Sequence, residues 1–260
     1  MPLQGKTVIV TGIGPGLGRA IAEQAAIMGA HIAMVSRSSG IMHEVEAAIV
    51  ARGGRCLTVQ ADITRDADCV RVAAKVLEKF GRIDGLVNSA YRPAAIAPVL
   101  ELDPDDLAVA FDVTVMGTLR MIRAVVPAME AQGGGSIVNV GSQVARKYVL
   151  NQGGYAATKA AMASLTRYLA IELGPKNIRV NTPAIGWTMS APARAWLEDM
   201  AAYGGPSVDQ SVGEISANMA LGRVPTDEEC ARAILMPLSD LFSAMTGATI
   251  DINGGEYLPL

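Results

Sequence analysis

Thr7-Val8-Ile9-Val10-Thr11-Gly12-Ile13-Gly14-Pro15-Gly16-Leu17-Gly18 is the stretch whose reading decides the fold. Thr7 to Val10 is a short β-branched run that reads as a strand, and Ala20 to Met28 beyond the turn reads as a helix. Four glycines, Gly12, Gly14, Gly16 and Gly18, let the backbone turn tightly and approach a pyrophosphate, whose charge then sits at the helix N-terminus. An ordinary tight turn between strand and helix has the same outline. It is the correct flanking elements that favour a dinucleotide.

A second apolar strand, His31 to Val35, ends at Ser36-Arg37-Ser38-Ser39, where a dinucleotide fold reads the adenosine ribose. A preference for NAD(H) would place Asp or Glu here, and neither is present. Arg37 offers a guanidinium to a 2′-phosphate and Ser36 a hydroxyl, so the expected cofactor is NADP(H) rather than NAD(H). A solvated loop arginine is the simpler alternative. The alternation then continues with a helix over 41–52, a strand over 56–59, Asp62-Ile63 at its exit, a helix over 67–80 and a strand over 85–88 that ends on Asn88. Repeated βα units imply an α/β fold with a parallel, doubly wound sheet. Asp62 and Asn88 then fall at the strand ends that face ligands, or are merely turn residues.

Pro104 to Glu130 reads as one long helical stretch with Asp103 as N-cap and Pro127 kinking or fraying its end. The strand Ser136 to Val140 delivers Ser142 to the same sheet edge as the glycine turn. A short strand over 177–181, an irregular span from Thr182 to Gly222, a helix from about Thr226 and a last strand over 248–252 complete the chain. With no linker or repeat, one domain over 1–260 suffices.

Tyr155-Ala156-Ala157-Thr158-Lys159 places a phenol and an ammonium four residues apart on one helix face. A nearby cation favours the phenolate, so the spacing predicts a tyrosine more acidic than usual and able to exchange a proton with an alcohol or ketone. A solvated helix pair has the same spacing. Half of the 260 residues are apolar, 18% are charged and the net charge is −3, so the chain can bury a large core and lacks the basic excess that nucleic acid needs. Cys56, Cys69 and Cys230 are widely separated and odd in number, and the N-terminus has no apolar leader. The expectation is a soluble cytoplasmic protein with no membrane span. His31 and His43 lack ligand spacing, and no metal is expected.

Taken in order, Thr11-Gly12-x3-Gly16-x-Gly18, Asn88, Ser142, Tyr155-x3-Lys159 and Asp251-Ile252-Asn253-Gly254-Gly255 resemble the short-chain dehydrogenase/reductase family over essentially the whole chain. The resemblance implies a Rossmann-type single domain of about seven strands. It implies Tyr155 as general acid/base, Lys159 on the nicotinamide ribose, and Ser142 on the substrate oxygen. Gly12, Ile13, Gly16, Leu17 and Gly18 would carry the pyrophosphate turn, Asp62 and Ile63 would meet the adenine, and Asn88 would join them. Four departures stand out. Thr114 occupies the place of the family's catalytic asparagine, keeping the main-chain carbonyl but not the amide. Tyr91 replaces the glycine of Asn-Asn-Ala-Gly and is placed to line the substrate pocket. Ile185-Gly186 stands for Pro-Gly, with Thr188 and Ser190 where the carboxamide is usually held. Pro15 sits where many NADP-preferring members have a basic residue.

Between Trp187 and Gly222 the chain carries both tryptophans, Trp187 and Trp196, with Met189, Leu197, Met200 and Met219. The resemblance makes this region, about 187–222, a substrate-covering lid with a bend at Gly204-Gly205-Pro206. An apolar lid suits a bulky alcohol or ketone; the same residues could equally pack the segment onto the protein. Reduction of an activated C=C bond and a non-catalytic dinucleotide-binding role are the alternatives. The family also implies a homotetramer or homodimer through the Tyr155 helix, where Ala160, Ala161, Ala163 and Ser164 permit close approach.

Overall fold

β1 (Thr7–Thr11) is buried at every position, as a strand covered by helices on both faces must be. In the computed structural model, which describes residues 1–259, it lies inside a parallel sheet between β2 (His31–Ser36) and β4 (Gly85–Asn88). β3 (Cys56–Gln60), β5 (Gly135–Asn139), β6 (Gly141–Ser142), β7 (Ile178–Ile185) and β8 (Thr249–Ile252) complete it, in the order β3-β2-β1-β4-β5-β7-β6 with β8 also on β7. The eighth strand arises because Val140 interrupts the expected Ser136–Val140 strand, and Gly141 and Ser142 pair separately with Ala184 and Ile185.

On one face, α1 (Leu17–Ile27), α2 (Gly40–Ala51) and α9 (Asp227–Leu235) enclose a core that includes Val8, Val10, Ile21, Met34 and Ile234. On the other, α3 (Asp66–Phe80), α5 (Gly117–Ala131) and α6 (Gly153–Leu173) enclose Ile9, Val72, Leu86, Met121 and Ile137. Alternate residues of β1 thus serve opposite cores. The crossover reverses between β1 and β4, and the chain leaving each opens a crevice at the C-terminal edge.

Three expectations need correction. The long helix over 104–130 is α4 (Pro104–Phe111) and α5 joined by a π-helical turn, Asp112–Met116, and α5 runs past Pro127 to Ala131. β7 does not stop at Asn181 but continues to Ile185, because Thr182 to Ile185 pair with Thr249 to Ile252. The span over 182–222 is not irregular either. It holds α7 (Ala191–Ala202) and α8 (Val208–Ala217), begun by the hydroxyls of Ser190 and Ser207, each accepting a main-chain N–H three residues on. Among the described residues no helix is long and apolar enough to cross a membrane.

Candidate active site

The glycine turn is shaped by contacts that exclude side chains. Gly12 has φ +79°, and a Cβ there would lie 2.5 Å from Ala90 Cα, so the chains leaving β1 and β4 touch. A Cβ on Gly18 would lie 2.1 Å from the Gly12 carbonyl oxygen, so α1 begins directly against the turn. Gly16 is the N-cap of α1 and provides no side-chain cap, which leaves first-turn N–H groups available to an anion. Gly12 to Gly18 line a cleft of about 460 Å³ along the C-terminal edge. The bare backbone and the uncapped helix fit a dinucleotide pyrophosphate.

At one end the cleft is lined by Ser36, Arg37, Asp62 and Ile63. Arg37 is exposed, and among the described residues its guanidinium makes no hydrogen bond or ion pair. Asp62 is held below the usual carboxylate range, first by the Thr64 N–H at 3.0 Å, with help from the Thr64 hydroxyl at 2.8 Å and the charge of Arg37.

At the other end Ser142, Tyr155, Lys159 and Tyr91 face the same space. β6 presents Ser142, whose hydroxyl donates to the Ile185 carbonyl at 3.3 Å and accepts from the Val144 N–H at 3.3 Å. α6 presents Tyr155 and Lys159. The Lys159 ammonium is buried and donates to the Val140 carbonyl at 2.7 Å, and burial pushes its pKa down to about 8. The expected acidic tyrosine is overturned. Burial raises the Tyr155 pKa, the Tyr91 phenol adds to the rise, and only the Ser142 hydroxyl works against it. Helical spacing put phenol and ammonium on one face, but there Lys159 is buried and Tyr155 half-buried, and loss of hydration to the phenolate outweighs the help its neighbours give. Lys159 Nζ lies 5.7 Å from the Tyr155 ring centroid.

Against this geometry, a family model described as "Enoyl-(Acyl carrier protein) reductase" matches residues 12–256. The chain belongs to the short-chain dehydrogenase/reductase family. Cyclohexanol dehydrogenase of a Rhodococcus strain is 34% identical over 98% of this chain and 97% of its own. A rat peroxisomal 2,4-dienoyl-CoA reductase is 31% identical over 99% of this chain and 86% of its own. The crystal structure of levodione reductase superposes with a TM-score of 0.90 at 28% identity, covering 97% of this chain and 98% of that one. As a member of that family the protein is an NAD(P)-dependent oxidoreductase.

Most of the site residues expected from this family reach the cleft, including Gly186, Thr188 and Ser190, but three do not line it. Asn88 is buried and donates its amide to Asn139 Oδ1 at 2.9 Å. Thr114, in the π-helical turn, turns its hydroxyl to the main chain of Arg92, while its carbonyl accepts from the Thr118 hydroxyl at 2.9 Å. Trp187 packs on Trp196, with ring centroids 5.9 Å apart. Behind the glycine turn, outside the cleft lining, lies a buried carboxylate that the sequence reading did not single out. A Cβ on Gly16 would lie 3.4 Å from Oδ2 of Asp227, which is buried at the start of α9, and among the described residues its Oδ1 has no partner. Burial raises its pKa, against a hydrogen bond from Thr188. Its signal was present: Asp227, Cys230, Ala231 and Ile234 follow a buried helical face at i, i+3, i+4 and i+7.

Proposed function

We propose that this dehydrogenase/reductase exchanges a hydride between NADP(H) and the carbinol or carbonyl carbon of an apolar, bulky alcohol or ketone, with Tyr155 as general acid/base. The observation that carries the reading is that a phenol, an ammonium and a hydroxyl open into the cleft that the glycine cradle begins. A nicotinamide bound there supplies the hydride chemistry. The protein supplies geometry and the proton. Tyr155 opens into the cleft as the group that exchanges a proton with the carbinol or carbonyl oxygen, giving it up in reduction and taking it back in oxidation. Ser142 holds that oxygen, since its two present bonds, both 3.3 Å, are long enough to exchange for a better one. Lys159 turns its remaining N–H groups to the ribose hydroxyls.

Gly12, Ile13, Gly16, Leu17 and Gly18 hold the pyrophosphate, Asp62 and Ile63 the adenine, and Gly186, Thr188 and Ser190 the carboxamide. Arg37, with Ser36 beside it, recognises the 2′-phosphate; its unpaired guanidinium supports NADP(H) over NAD(H). The protein works as one domain, with α7 and α8 as a lid over 187–222 whose stacked tryptophans and Tyr91 offer an apolar wall. A named relative that oxidises cyclohexanol is consistent with a ring substrate. Exposed Tyr168 and Ile171 on α6 suit a homotetramer or homodimer contact, and free Cys56, Cys69 and Cys230 suit the cytoplasm.

The test is a panel of cyclic and long-chain ketones and alcohols assayed with both cofactors. NADPH should exceed NADH in kcat/KM by at least about tenfold, and Arg37→Ala should remove most of that ratio, the share of one charge-assisted phosphate contact. Equal ratios in both proteins, or turnover of small polyols alone, would refute the cofactor and substrate assignments respectively. Reduction of an activated C=C bond is the second reading, favoured by a second phenol, Tyr91, whose ring is 5.9 Å from that of Tyr155. Product analysis separates the two.

A further inference from the structure

Lys159 is a buried cation with a single protein acceptor among the described residues, the Val140 carbonyl. Among the described residues no carboxylate pairs with it. The other charged side chains lining the cleft are Arg37 and Asp62, which leave the sheet at β2 and β3, three or more strand spacings from β5 and so roughly 14 Å away. From β5 and β6 it faces the Val140 carbonyl and the Ser142 hydroxyl, and from its own helix it faces Tyr155. The remaining neighbour comes from the chain after β4. Lys159 Nζ lies over the Tyr91 ring, 5.3 Å from its centroid, closer than to Tyr155.

Tyr91 is 55% exposed, so its own burial does little to fix it. Its loop is pinned instead. The Arg92 N–H donates to Thr114 Oγ1 at 3.2 Å, and that hydroxyl donates back to the Arg92 carbonyl at 3.4 Å. The Arg92 guanidinium reaches Asp106 Oδ1 at 2.5 Å and the Asp106 carbonyl at 3.1 Å. Asp106 Oδ2 accepts the Ala95 N–H at 2.9 Å, which ties the far end of the loop to α4.

We propose that Tyr91 is a positioning residue for Lys159: the Thr114–Arg92–Asp106 clamp holds its ring against the ammonium and keeps that ammonium charged and directed into the cleft. The negative face of an aromatic ring attracts a cation, and the attraction grows where water is excluded. Burial alone drives Lys159 towards its neutral form, and the ring opposes this. In this account Thr114 acts through a neighbouring loop and Tyr91 does more than line the substrate pocket. The contact stands without the reading of Lys159 given above; only its consequence for turnover rests on it.

The test follows the Lys159 13Cε resonance through a pH titration of the ligand-free protein labelled at lysine, assigned with Lys159→Met. Tyr91→Phe keeps the ring and should leave the midpoint in place. Tyr91→Leu keeps apolar bulk without the ring's charge distribution and should lower the midpoint by about half to one pH unit. Thr114→Val should lower it in the same direction by less. Equal midpoints in the Phe and Leu variants would overturn the proposal, and so would an unchanged midpoint in Thr114→Val. If the midpoint moves while the alkaline limb of kcat/KM does not follow, the contact is supported and the catalytic assignment of Lys159 is what fails.

Discussion

The two ends of the sheet treat buried polar groups in opposite ways. At the N-terminal ends of β1 and β4, the buried carboxylate of Asp84 is enclosed by donors: Arg82 at 2.6 and 2.8 Å and the Thr7 N–H at 2.8 Å. At the C-terminal end, among the described residues, Lys159 has one acceptor, and Asn88 Oδ1, Gln143 Oε1 and Asp227 Oδ1 have none. Among the described residues the uncharged Thr7 hydroxyl is the one exception at the first end. Folded proteins rarely leave such groups unpaired, because each costs about 1–3 kcal/mol. One end is closed by its own donors; at the other, Lys159 opens into the cleft with a single protein acceptor, while Asn88, Gln143 and Asp227 lie behind its lining.

This contrast can be broken first at its stable end. Asp84→Ala removes the shared acceptor of Arg82 and Thr7 and should cost about 3 kcal/mol in denaturant unfolding while leaving cofactor affinity unchanged. A loss of affinity as large as the loss of stability would erase the distinction between the two ends.

At the other end, Lys159→Met should stabilise the ligand-free protein by about 1–2 kcal/mol at neutral pH while abolishing turnover. The sign follows from linkage. A lysine whose folded pKa falls from 10.5 to about 8 makes folding release protons between those values, so its penalty is complete below about pH 8 and disappears towards pH 10.5. Melting temperature should therefore show a rising contribution over that window in the native protein and not in Lys159→Met. An unchanged pH profile would mean that the ammonium is not under strain.

The smallest effect belongs to Asp227. A carboxyl whose folded pKa is raised loses stability as pH climbs above its unfolded value of 3.8, because the unfolded chain gives up the proton first. Asp227→Asn should remove that decline and add about 1 kcal/mol at neutral pH. If the substitution destabilises instead, Asp227 has a partner at the folded end's expense and belongs with Asp84.

Much of this was legible in the residues. The β1, glycine turn and α1 sequence declared itself because hydrophobic period and turn chemistry agree there, and Tyr155 and Lys159 were paired by helical spacing alone. The lid helices were obscured by weak apolar periodicity, although Ser207-x-x-Gln210 had the form of a capping box that the structure completes. The length of β7 was hidden because Pro183, which lacks an N–H, stands inside it and only the distant β8 reveals the pairing. The direction of the Tyr155 shift could not be read at all. Spacing shows which groups are neighbours, whereas the shift depends on how much water the rest of the fold removes.

The central claim is that the phenol at the C-terminal end of the sheet carries the proton of the redox step, and Tyr155→Phe tests it most directly. The account predicts a fall in kcat/KM of about 10²–10⁴ with cofactor affinity and melting temperature nearly unchanged. Turnover within a few-fold of the native protein would contradict it.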